Sequence, residues 1–210
     1  MSVAALAATV LGAAVFGASG FAATLVATAV YAKDEPLPDG PVPGRVSVVL
    51  LASLAAGVGA VCAWRGESLA SLALVDLIVA ALCAVIWTDV TRGFIGDWFT
   101  LPPLAVVLAA SAARGTFLTT VLAVGVATLP FAAAAFFSKG MGMGWGDVKL
   151  VALGGGLLDL RTSILLYAGA SVVACAVALA RRRQSEPIAF GPYLAGAIAV
   201  GMLLPPPAYA

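Results

Sequence analysis

Histidine is absent from all 210 residues of this chain, charged residues make up only 10% of it, and there are just three cysteines. The first absence is the most restrictive. Without an imidazole there is no serine–histidine pair for nucleophilic hydrolysis, no H-E-x-x-H zinc site and no histidine to activate a cysteine. The cysteines, Cys62, Cys83 and Cys175, lie far apart, each inside an apolar run. They read as small core hydrophobes, with neither a disulfide nor a metal site. A formal net charge of +1 leaves no electrostatic footprint for nucleic acid.

What is abundant is apolar: 62% of the residues are hydrophobic, far above the share in soluble domains. The composition is that of a polytopic membrane protein whose partner is the lipid bilayer. A spanning segment needs about 20 apolar residues and must satisfy its own backbone groups, so helices are the default. Apolar runs fall at about 3–32, 46–64, 68–88, 98–113, 116–138, 147–158, 162–180 and 188–205. They predict an all-α bundle of about eight (six to eight) transmembrane helices, two of them short. A single membrane-embedded domain over 1–210 is the simplest organisation, with the chemistry-bearing core at about 68–205. The first run lacks a basic n-region and exceeds the length of a signal-peptide core, so it is read as a retained helix.

Lys and Arg in short loops set the orientation. With both termini outside, Lys33, Arg45, Arg92, Lys139, Lys149 and Arg181 to Arg183 lie inside, leaving Arg65, Arg114 and Arg161 outside. The loops at 33–45, 89–97, 139–147 and 181–187 then face the cytoplasm, and Arg181 to Arg183 act as a topology anchor. The proline- and glycine-rich loop "KDEPLPDGPVPG", from Lys33 to Gly44, is expected to be extended.

Of the acidic residues, Asp34, Glu35, Asp39, Glu67, Asp159 and Glu186 read as solvated ends of helices. Asp76, Asp89, Asp97 and Asp147 need more. Asp89 closes the third span in "VIWTDVTRGFIGDWFTLPP", and Asp147 opens the sixth in "GMGMGWGDVKL". The chain returns to the same face between them, which lets both carboxylates meet at one depth. Two carboxyls held close in a low-dielectric site share a proton. One can act as general base on water while the other donates to a carbonyl oxygen. With histidine absent and no cysteine paired to a base, carboxylates are what remains for hydrolysis in a membrane. The plainer alternative is that each aspartate caps a helix end.

These residues resemble a family. Gly144-Trp145-Gly146-Asp147 matches the GxGD signature of membrane aspartic proteases, and "MGWGDVKL" is similar to the type IV prepilin leader peptidases. Asp89, Arg92, Ile95, Gly96, Asp97, Phe99, Thr100, Leu101 and Pro102 follow that family's first motif, and "PIAFGPYLAGA", Pro187 to Ala197, its last. The resemblance implies a GxGD aspartic protease-like bundle in the inner (cytoplasmic) membrane. Asp89 and Asp147 would be its catalytic pair, removing the short basic leader of type IV pilin-like precursors at the cytoplasmic face, as in pilus assembly or protein secretion. It also makes Phe190, Gly191 and Pro192 candidates for shaping the site. Gly96 stands where the family usually has proline. The first cytoplasmic loop is short and has no cysteines, whereas bifunctional members carry two CxxC pairs there. Peptidase activity without N-methylation is therefore expected, with no S-adenosylmethionine, zinc or other cofactor.

The glycines at 140, 142, 144 and 146 would let backbone pass close to a substrate or a neighbouring helix and make the approach to Asp147 non-helical; the alternative is a merely flexible loop. No G-x-G-x-x-G aligns here, which excludes a dinucleotide loop. Asp97 is read as a helix N-cap before "WFTLPP", with a role in the site as the alternative. Lys149 either snorkels to headgroups or supplies positive charge to an aspartate. Asp76 lies about 140° around its helix from Asp89, off the catalytic face, and is read as functional or as a protonated group bonded to a neighbouring helix. An ion- or proton-coupled carrier relaying through Asp76, Asp89 and Asp147 is the rival function. The presenilin group shares GxGD but shows Tyr-Asp and Pro-Ala-Leu, and this chain has Thr88-Asp89 and no Pro-Ala-Leu.

Overall fold

A computed structural model describes residues 3–33, 45–138, 143–180 and 189–204. Its elements are α1 (Val3–Val30), α2 (Arg45–Trp64), α3 (Leu69–Arg92), a 3-10 turn (Asp97–Phe99), α4 (Leu101–Ala113), α5 (Phe117–Phe137), α6 (Trp145–Leu157), α7 (Leu160–Ala180) and α8 (Gly191–Leu203). The expected all-α polytopic architecture is present, one helix per apolar run. Asp34, Glu35, Asp39, Lys139, Gly140, Gly142, Arg181 to Arg183 and Glu186 fall outside the described residues.

Five helices, α1, α2, α3, α5 and α7, are long and apolar enough to cross a membrane. Three others, α4, α6 and α8, have 13 residues each, where the sequence pointed to two short runs. The run at 98–113 is divided. Thr100 N–H bonds the Asp97 carbonyl to close a 3-10 turn, and α4 then starts afresh with prolines in its first turn, where their missing amides cost nothing. The last run becomes helical at Gly191, with Pro192 likewise in the first turn.

The chain separates into two compact units, Met1–Gly93 and Phe94–Ala210. In the first, α1 packs on α2 and α3. Phe16, Gly20, Thr24 and Ala27 form its buried stripe, spaced by three and four residues so that they share one face. Gly59 marks the tightest approach. A Cβ there would lie 2.5 Å from Phe16 Cγ and 2.7 Å from the Gly12 carbonyl oxygen, so the two backbones meet where side chains are missing. Polar groups tie the same helices together: Trp87 Nε1 donates to Thr28 Oγ1 at 2.9 Å, and Ser19 Oγ to Asp76 Oδ2 at 2.9 Å. α3 starts at Ser68, whose hydroxyl accepts from the Ser71 amide, and stops at Gly93, whose φ of 73° is cheap only for glycine.

The second unit is built around α6, which packs against α4, α5, α7 and α8. Leu150, Val151 and Leu153 are fully buried on it. Tyr167 of α7 donates to the Val151 carbonyl at 3.1 Å, over Gly154. Asp159 caps α7 by accepting from the Thr162 amide at 3.1 Å, and its hydrogen bonds with Thr162 hold the carboxyl below the usual carboxylate range. The cysteines need one correction: Cys62 and Cys83 are buried, but Cys175 is exposed on α7. The buried face of that helix runs through Ser163, Tyr167, Ala170 and Ala174, and the thiol lies off it.

Candidate functional site

In the first unit, Asp89 lies in the last turn of α3 and is 6% exposed. The geometry around it is set by the helix end. Gly93 N–H donates to the Asp89 carbonyl at 2.9 Å, closing the left-handed cap, while Thr88 and Thr91 turn their hydroxyls onto the carbonyls of Val85 and Trp87. These bonds satisfy hydroxyls that would otherwise be buried without partners. Asp76, thirteen residues earlier on α3, bonds Ser19 of α1, in line with its reading as a group tied to a neighbouring helix. Its other oxygen, Oδ1, is buried and has no partner among the described residues.

In the second unit, Asp147 lies in the first turn of α6 and is 9% exposed. Gly144 precedes the helix in an extended conformation, φ −76° and ψ 147°, so the approach is non-helical as expected. Asp147 Oδ2 accepts from the Gly144 amide at 3.2 Å. This is half of a capping box, since glycine offers no side chain in return. The capping alternative is thus realised, yet the carboxyl is also withdrawn from solvent, which a surface cap does not require.

Gly146 makes the close approach that its sequence context predicts, but to the chain itself. A Cβ there would be 2.7 Å from Ile95 Cβ. The second contact between the same two segments is ionic: Lys149 Nζ donates to Asp97 Oδ1. Asp97 is therefore not the N-cap it was read as. Gly96 occupies the cap position without a side-chain bond, and Asp97 is the first residue of the 3-10 turn, with its carboxylate committed to α6. Of the two readings of Lys149, positive charge supplied to an aspartate is the one realised, and the aspartate is Asp97. Sequence spacing carried no sign of this pair, whose members are 52 residues apart.

Phe190, Gly191 and Pro192 form the start of α8. The Phe190 carbonyl accepts from the amides of Tyr193 and Leu194, and Gly191 is buried. That helix packs on α6, with Ile198 against Gly154. Among the described residues no three His, Cys, Asp or Glu side chains cluster as a metal site.

Comparison with known proteins bears on these residues. The type IV leader peptidase family matches residues 77–179, a segment that contains both Asp89 and Asp147. The prepilin leader peptidase/N-methyltransferases of Burkholderia pseudomallei strains 1026b and K96243 are each 35% identical over 181 residues, covering 80% of this chain. The chain spans 58% of the length of these relatives. No solved structure matches it. Over residues 77–179 the chain is thus similar to the type IV leader peptidase family, and the matched segment carries Asp89 and Asp147.

Proposed function

We propose that this protein is a membrane aspartic endopeptidase that removes the leader of type IV pilin-like precursors, with Asp89 and Asp147 as its catalytic pair. The observation that carries the reading is the placement of two buried carboxyls, each within a helix end, inside the family-matched segment. A carboxyl is costly to bury, and in a chain without histidine these are the groups able to move a proton.

In the proposed reaction the two carboxyls converge on one water with a single proton between them. The ionised carboxylate takes a proton from the water as it attacks the scissile carbonyl carbon. The protonated partner donates to the carbonyl oxygen, giving a tetrahedral diol. Breakdown of the diol breaks the C–N bond: the carboxyl that took the water proton gives it to the nitrogen, the other carboxylate regains a proton from a diol hydroxyl, and the leader leaves with a new carboxyl terminus. A helical substrate has its amides and carbonyls paired, so the cut falls where the helix frays at the membrane boundary.

The excess of Lys and Arg on the side that carries Asp89 and Asp147, counted over all the short loops, supports a multi-pass protein of the inner membrane with its site facing the cytoplasm. The cysteine-free first loop supports peptidase activity without N-methyltransfer and without a cofactor. Leader removal from a co-expressed prepilin, scored by gel shift and mass spectrometry, tests the reading. Cleavage is expected with the native chain and with Asp76→Asn, and not with Asp89→Asn or Asp147→Asn. An intact precursor with the native chain, or cleavage by both latter variants, overturns it.

A further inference from the structure

We propose that Asp97 and Lys149 form a positioning pair for Asp147, holding the Ile95–Phe99 segment across the first turn of α6. The inference rests on the reading of Asp147 as catalytic. The turn that carries Asp147 has weak means of holding itself: it follows Gly144, includes Gly146, and its side-chain cap is the bond from the Gly144 amide to Asp147 Oδ2. Glycine at a helix start favours fraying, because the unfolded turn has more conformations to return to.

Two contacts from the preceding segment compensate. Ile95 lies directly on Gly146, and two residues later Asp97 takes the Lys149 ammonium. The two α6 residues flank Asp147 in sequence, at positions 146 and 149. Lys149 is about 200° around the helix from Asp147, so the ammonium does not reach the carboxyl. Its effect is mechanical: it fixes where the turn sits. The Lys149 side chain is 32% exposed and that of Asp97 58%, so the pair is open to solvent on the Asp97 side and sheltered on the α6 side. That asymmetry suits a clamp from a surface segment onto a buried helix.

The test measures kcat and KM of the purified full chain in liposomes on a prepilin-like precursor. Asp97→Ala and Lys149→Ala are each expected to lower kcat about tenfold or more with KM within about twofold, as a displaced catalytic group does. Asp97→Glu should stay close to native. The exchange Asp97→Lys with Lys149→Asp should recover most of the loss, which a nonspecific packing defect would not. If an alanine variant loses its helical circular dichroism, Asp97→Asn and Lys149→Met, which keep side-chain volume, replace it. Single variants at the native rate, an exchange no better than the singles, or a change confined to KM would overturn the pair while leaving the peptidase reading intact. A native chain that cleaves nothing overturns both.

Discussion

Gly146 and Ile95 are in such close contact that there is no room for a methyl group between them: a Cβ on Gly146 would stand 2.7 Å from Ile95 Cβ and 3.3 Å from the Ile95 carbonyl oxygen. The requirement is spatial, since Gly146 sits in a regular helical turn where alanine is otherwise preferred. Gly146→Ala is therefore expected to destabilise by about 1–3 kcal/mol despite its better helix propensity. A thermal melt of the detergent-solubilised protein reads this out. Gly144→Ala is the contrast, because its extended backbone suits any residue and its Cβ would stand 3.3 Å from Asp147 Oδ2 and 3.9 Å from the Gly146 nitrogen. That variant should melt within about 0.5 kcal/mol of native.

Replacing either proposed catalytic carboxyl by its amide keeps shape and removes proton transfer. Asp89→Asn and Asp147→Asn should each lower the cleavage rate by about 10²–10⁴-fold, the usual contribution of general acid–base catalysis. Single-turnover assays with excess enzyme check this while separating chemistry from binding.

A pair sharing one proton has two losses, one on each side of its working range. Raising the pH removes the proton from the acid member, and lowering it protonates the base member. Cleavage plotted against pH is expected to be bell-shaped, and a flat profile up to about pH 10 counts against a shared proton.

Gly154 offers a test of the α6–α7 seam away from the carboxyls. A Cβ there would collide with the Tyr167 hydroxyl, which donates to the Val151 carbonyl, and with Ile198 of α8. Gly154→Ala is expected to lower stability by about 1–3 kcal/mol. Adding Tyr167→Phe should return part of that loss by removing the colliding oxygen, and melts of the single and double variants decide it.

The helices were legible in this sequence because membrane solvent dictates them: each apolar run has its helix. The structure adds the caps at Ser68, Gly93 and Asp159, which are local in sequence but were not singled out from it. What could not be read is what depends on contacts distant in sequence. Asp97 stands before an apolar run like an N-cap, yet its partner is 52 residues away. Gly146 announced a close approach without naming Ile95 as the neighbour. Cys175 was misplaced for a different reason. On α7 polar and apolar positions do not alternate with a helical period, so no residue marks the outward face.

The brevity of α6 has its own consequence. Thirteen residues extend about 20 Å, against a hydrocarbon layer of about 30 Å. Enclosed by α4, α5, α7 and α8, α6 meets that shortfall inside protein rather than against lipid, and the non-helical backbone at Gly144 would then lie where its polar groups need water or protein partners. Water drawn there would stand at the depth at which Asp147 begins the helix. Water is the co-substrate of any hydrolysis, and here its delivery would be a property of helix length, set by where Gly144 lets the helix begin.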